Sequence, residues 1–177
     1  MSTRSLASAA APASASVTAI DDVREFRNAL GRFATGIAVV TLETSAGRIG
    51  LTVNSFNSVS LTPPLVVWSL ARTSPSLPAF EASQYYAINV LAVDQEEISN
   101  RFAGKQPDRF AGLELETGLG GAPLLSGVCA RFQVRNTTRH DGGDHVVFIG
   151  EVERFDYDDS REPLLYFAGR YRRLDAD

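Results

Sequence analysis

The apolar residues of this chain come in short, β-branched runs separated by turn residues, and that rhythm restricts the fold more than any other feature. Ile37 to Thr44 (IAVVTLET), Arg48 to Val53, Leu65 to Leu70 (LVVWSL), Tyr85 to Val90 (YYAINV), Val128 to Thr138, His145 to Phe155 and Leu164 to Ala168 read as strands. Ser45-Ala46-Gly47 joins the first two as a hairpin, and Arg139 to Asp144 turns the Val128 strand into the His145 strand. Pro63 and Pro64 cannot donate ladder hydrogen bonds, so the Leu65 strand is expected to begin after them. Helices are fewer. One starts at Asp21 or Asp22, with Asp22 and Glu25 at capping-box spacing and Val23, Phe26, Leu30 and Phe33 as its apolar stripe. Ser74-Pro75 opens a short second helix, and Asp94 with Glu97 caps a third that runs to about Ala103 and ends at Gly104. Gly118 to Pro123 reads as a loop. The expected fold is mainly β with a few helices, an antiparallel barrel rather than an alternating parallel sheet.

Length and composition narrow the function. A chain of 177 residues fits one domain, expected over residues 20–177, and 44% hydrophobic residues suffice for a sizeable core. Residues 1–19, mostly Ala, Ser, Thr and Pro, read as a disordered arm without the apolar core of a secretory signal, on a cytoplasmic protein. A net charge of -4 without a basic stripe argues against nucleic acid, and no apolar run is long enough for a membrane span. The single cysteine, Cys129, permits no internal disulfide and reads as a buried structural thiol. His140 and His145, with Asp141 and Asp144, share one flexible turn, which rarely completes a metal site, so no metal is expected. A Rossmann glycine motif, a P-loop and a nucleophile elbow are all absent from the sequence.

Four stretches could carry chemistry. Leu51 to Val66 (LTVNSFNSVSLTPPLV) sets Thr52, Asn54, Ser55, Asn57, Ser58 and Ser60 between apolar strands. Such a segment either brings backbone N–H groups close to a planar heteroaromatic ligand or is an ordinary loop of Asx and Ser turns. Ser69 to Ser76 (SLARTSPS) follows a strand and opens a helix. Its free N–H groups, hydroxyls and Arg72 suit a phosphate, although simple capping by Ser74 explains the same residues. In Ser99 to Lys105 (SNRFAGK), Phe102 either lies against a flat cofactor or belongs to the core, and Arg101 or Lys105 could meet phosphate. His145, in Gly143-Asp144-His145, either contacts a nicotinamide or holds the turn by hydrogen bonding.

Six segments in order, FRNALGRFATGIAVVT (26–41), GLTVNSFNSVSLTPPLV (50–66), YAINVL (86–91), NRFAG (100–104), GDHVVFIGEV (143–152) and PLLYFAGRYRRL (163–174), resemble the short-chain flavin reductase family. The likeness is nearest to the reductase components of phenol and 4-hydroxyphenylacetate hydroxylases. The resemblance implies a split-barrel FMN-binding fold, a homodimer and an NAD(P)H-dependent flavin reductase. Such an enzyme reduces FMN or FAD with NADH or NADPH and supplies the reduced flavin to a separate oxygenase acting on an aromatic compound. It further implies that Thr52, Val53, Asn54, Ser55 and Phe56 line the isoalloxazine ring, with Ser58 and Val59 near the ribityl chain. Ser69, Leu70, Ala71, Arg72, Ser74 and Ser76 would hold phosphate. Phe102, Ala103, Gly104 and Lys105 would complete the pocket, and His145 and Tyr171 would face the nicotinamide. The sequence departs from some relatives in carrying Arg172, not His, after this tyrosine. No side chain is expected to act as acid, base or nucleophile, because hydride transfer belongs to the cofactors. The competing expectation is a split-barrel flavoprotein that keeps FMN tightly as an electron-transfer or sensing module.

Overall fold

A computed structural model of the chain describes residues 22–174, so the expected arm at 1–19 lies outside the described residues, as does Asp21. The elements, in order, are α1 (Val23–Leu30), β1 (Thr35–Gly36), β2 (Ala38–Thr44), β3 (Gly47–Val53), β4 (Asn57–Leu61), β5 (Pro64–Ala71), α2 (Leu77–Ala82), β6 (Tyr85–Val90), α3 (Glu96–Ala103), β7 (Leu115–Thr117), β8 (Pro123–Leu125), β9 (Ala130–Gly142), β10 (His145–Tyr157), β11 (Leu165–Phe167) and β12 (Arg170–Arg172). Among the described residues no helix is long and apolar enough to cross a membrane.

Seven strands form one antiparallel sheet in the order β3-β2-β6-β9-β10-β5-β4. Its two outermost strands, β3 and β4, are consecutive in the chain and joined only by Asn54, Ser55 and Phe56. A link that short spans roughly 13 Å even when extended. Both edges of the sheet must therefore come together, and the sheet rolls into a barrel with a seam at this link. One hydroxyl fastens the link to β5: Ser55 Oγ donates to the Ser69 carbonyl at 3.3 Å and accepts the Ser69 N–H at 3.0 Å. It stands in for a ladder partner just beyond the last residue of β5 that β4 covers, Val67.

The core explains the strand patterns. Ala38, Val40 and Leu42 of β2 face the barrel interior, where Trp68 stacks on Phe148 at 4.7 Å and meets Phe80 of α2 edge-on at 5.0 Å. Ile37 and Val39 face a second cluster with Leu91, Phe102, Phe110, Leu125 and Leu164. Burial on both faces is why this run is apolar at every position from Ile37 to Leu42 but Thr41 instead of alternating. Two buried polar residues, one in β2 and one in β6, are hydrogen-bonded. Thr41 Oγ1 donates to the Pro123 carbonyl at 2.6 Å, while Asn89 donates to the Val39 carbonyl at 3.1 Å and to Thr41 Oγ1 at 3.2 Å and accepts the Leu125 N–H at 2.9 Å. Together they tie β8 across β2 and β6. Gly150 admits the interior: a Cβ there would stand 2.3 Å from Val134 and 2.4 Å from the Tyr86 hydroxyl.

Several boundaries differ from expectation. The segment read as a loop between residues 51 and 66 contains β4, an edge strand whose exposed polar face hides its periodicity. β5 begins at Pro64, where a strand's first position needs no donated bond. The α2 helix starts at Leu77, not at Ser74-Pro75, because the Ser74 hydroxyl and carbonyl close a turn onto Ser76 N and Leu77 N first. Gln95, not Asp94, holds the N-cap position of α3, and its side chain bonds Ala92 N and the Ser126 carbonyl instead of capping the helix. The turn between β9 and β10 is two residues, Gly143 and Asp144, not six. Asp22 does cap α1, accepting from Arg24 N at 2.9 Å and Glu25 N at 3.1 Å. Cys129 is half-buried just before β9, and burial pushes its thiol up.

Candidate functional site

β3 and β5 finish, and β10 begins, at the same end of the barrel, since Ala71 pairs with His145 and the link Asn54–Phe56 lies beside Ser69. A groove of about 1150 Å³ opens there. One wall is α1 with Phe33, and the other holds Thr35, Asn54, His145, Tyr166, Ala168 and Gly169. The α1 helix has no buried residue and is fastened at its end, where Ala168 N donates to the Gly31 carbonyl at 2.9 Å.

The polar atoms of this groove suit a flat ligand with carbonyl and N–H edges. The Thr35 hydroxyl is buried and has no partner among the described residues, a state that costs free energy until a ligand or water meets it. The Asn54 side chain makes no hydrogen bond among the described residues. His145 uses Nδ1, 2.7 Å from Asp144 Oδ1, and its Nε2 is free of protein partners there.

The other sequence candidates divide into three groups. Some are engaged by the fold. Val53 and Leu70 point into the core, Thr52 Oγ1 donates to the Ser99 carbonyl at 2.7 Å, and Phe56 packs on Phe132 at 5.4 Å. Of the two readings open for Phe102, the structure places its ring in the core. It is 1% exposed, lies edge-on to Phe110 at 4.9 Å and presses on Gly50, so its ring offers no free face. Tyr171 bonds α3 through its hydroxyl, 2.9 Å from Ser99 Oγ and 3.0 Å from Asn100 Oδ1, and does not line the groove. A second group lies on the surface: Ser58 and Val59 on β4, and Ala103 and Lys105 beyond Phe102 are exposed, with Gly104 half-buried.

The third group follows β5 and lies outside the groove lining. Ser74 is half-buried in its own turn, and Ser76 lines a separate cleft of about 720 Å³ with Arg48, Gln106 and Arg109. In that cleft Arg48 lies 3.4 Å from Glu43, and Arg109 donates to the Gly50 carbonyl at 2.8 Å. Arg72 reaches the β9–β10 turn, where Nε donates to the Gly143 carbonyl at 2.8 Å and Nη2 lies 2.9 Å from Asp141. The Gly143 N–H and then Arg72 hold the Asp141 carboxyl below the usual carboxylate range, and His145 does the same for Asp144. Thr35, Tyr166 and the Ala168-Gly169 turn escaped the sequence reading. Their signal was the pair of short Gly-containing segments Phe33–Gly36 and Phe167–Arg170, which the fold brings together by pairing β1 with β11.

Residues 30–175 match the flavin reductase like domain family. The chain is similar to the FMN reductase (NADH) SmoA of Agrobacterium fabrum, 46% identical over 87% of each chain. It is also similar to HsaB of Rhodococcus jostii, the reductase subunit of a flavin-dependent monooxygenase, 36% identical over 88% of this chain and 80% of that one. Among solved structures it resembles the NADH:FAD oxidoreductase SgcE6 of Streptomyces globisporus C-1027, in complex with NAD and FAD fragments. That match has a TM-score of 0.88 and 35% identity, covering 92% of this chain and 99% of the other. The split-barrel geometry and these likenesses agree: the chain belongs to the flavin reductase-like family and is an NAD(P)H-dependent flavin reductase.

Proposed function

We propose that the groove between α1 and the seam end of the barrel receives FMN or FAD together with NADH or NADPH, and that the reduced flavin passes to a separate oxygenase acting on an aromatic compound. The observation that carries the reading is the meeting of Asn54 and His145, 91 residues apart in sequence, on one groove beside the unpartnered Thr35 hydroxyl. The nicotinamide supplies a hydride and the flavin accepts it, so the chain needs no general acid or base of its own. Asn54 and the backbone N–H groups of the seam link offer donors to the flavin ring, where negative charge develops on reduction. His145 Nε2 and Thr35 orient the second ring, and α1 excludes water from one side through Phe26, Leu30 and Phe33. Ser76 lines the 720 Å³ cleft, and it is read with Ser69 and Ser74 as the holder of the flavin's phosphate end.

The chain is further read as a homodimer. Val23, Phe26, Leu30, Phe33, Phe155 and Tyr157 are exposed apolar residues, more than a lone subunit usually leaves in water. Monomeric behaviour in light scattering at micromolar concentration, with full activity, would remove that part. The activity reading is tested by following NADH absorbance with purified protein and excess free FAD or FMN. Many turnovers per protein are expected. A permanently yellow protein that oxidises no more NADH than its own flavin content would overturn it in favour of an electron-transfer module.

A further inference from the structure

We infer that Arg72 is a positioning residue for the nicotinamide side of the groove, acting by clamping the Gly143-Asp144 turn that aims His145. The inference rests on the reading of His145 given above. The turn is the exposed tip of a long hairpin, and a two-residue tip held only by its own ladder frays readily. Arg72 leaves the end of β5 and grips that tip at three points. Its backbone N–H donates to the Asp144 carbonyl at 2.9 Å, its Nε to the Gly143 carbonyl at 2.8 Å, and its Nη2 lies 2.9 Å from Asp141. Asp141 completes the clamp by accepting the Gly143 N–H at 2.9 Å. Gly143 itself sits at φ 75°, so the tip has one backbone shape to defend.

The clamp reaches the groove through one more bond. Asp144 Oδ1 lies 2.7 Å from His145 Nδ1, which fixes the imidazole plane and leaves Nε2 for a ligand. The contacts require a guanidinium. Nε and Nη2 diverge to two different acceptors, and a lysine ammonium on its flexible stem cannot hold both in one geometry. Exposed ion pairs of this kind add little to global stability. Their effect is on where His145 points, so it belongs in ligand affinity far more than in the melting temperature.

The experiment compares full-length wild type with Arg72→Ala, Arg72→Lys, Asp141→Asn, His145→Ala and the Arg72→Ala/His145→Ala double variant. NADH KM and kcat are measured at saturating flavin, and flavin Kd by fluorescence quenching. Arg72→Ala is expected to raise the NADH KM about 3–10-fold, with flavin Kd within about twofold of wild type. Arg72→Lys recovers less than half of that loss, and Asp141→Asn falls between. In the His145→Ala background the Arg72 change adds less than about twofold, because both act through one group. A flavin Kd that weakens as much as the NADH KM rises would make Arg72 a flavin phosphate ligand and overturn the inference. Full additivity in the double variant would overturn it as well. A silent Arg72→Ala beside an impaired His145→Ala defeats the clamp alone and leaves the groove reading standing. A silent His145→Ala defeats the reading of His145 and the clamp together. Should Arg72→Ala fail to fold, Arg72→Lys and Asp141→Asn decide the same question.

Discussion

In the barrel interior Trp68, Phe80, Tyr86 and Phe148 are each less than 2% exposed, whereas on the groove wall Phe26 is 45% and Phe33 72% exposed. The two sets are alike in chemistry and both follow regular apolar spacing. They differ in what they do for the subunit. The interior aromatics contact one another from three strands and a helix, so each fixes the others. Burial there pushes the Tyr86 hydroxyl well up. The neighbouring Trp68 N–H only partly counters this, and neither group has a hydrogen-bond partner with good geometry. The groove aromatics contact solvent and leave their area to a ligand or a second subunit. Stability is therefore concentrated in the barrel, while its seam end leaves apolar area in water.

That division can be attacked from both sides. Trp68→Ala should cost about 3–5 kcal/mol, the usual loss for an emptied aromatic site in a closed core. A melting temperature near wild type would show that α2 collapses into the space. Asn89→Leu should cost about 2–4 kcal/mol, because it leaves the Leu125 N–H and the Val39 carbonyl without Asn89 in a buried place. Denaturant titration reads it, and a loss under 1 kcal/mol would mean that water replaces the amide. Asn54→Leu, on the groove, should weaken flavin binding by about 1–3 kcal/mol while the melting temperature holds. Unchanged flavin affinity in a folded variant would put the ring elsewhere. The smallest effect is a pH dependence at the turn. A carboxyl held below its ordinary value contributes stability above that value, about 3.9 for Asp, and loses it as the pH falls through the lower folded value. The small melting difference between wild type and Asp141→Asn should thus persist at neutral pH and vanish in strong acid. A difference that grows below pH 4 would contradict the clamp's ionic character.

Much of the barrel was legible because its strands report their own surroundings. Ile37 to Leu42 is apolar at every position but Thr41 and buried on both faces, and Leu65 to Leu70 emerged as β5 with one residue added at each end. The α1 stripe was equally legible, yet its burial was not, since periodicity records which face is apolar and not what covers it. β4 was missed because Asn57, Ser58 and Ser60 on an exposed edge look like a loop. The helix starts slipped by one to three residues where Ser74 and Gln95 put their side chains into turns instead of caps. Local composition and the family segments single out Asn54 and His145, and the structure puts both on the groove. Phe102 was ambiguous because a helix-end aromatic before a glycine serves a core and a pocket equally well. Tyr166 and the Ala168-Gly169 turn were not legible, since only long-range pairing of β11 with β1 brings them to the groove.

The seam gives the molecule one direction of give. Every other pair of neighbouring strands in the seven-stranded sheet is welded by a ladder, while β3 and β4 share only a three-residue strap, which Ser55 fastens to β5. A cylinder closed by ladders everywhere but along one line has its weakest closure on that line.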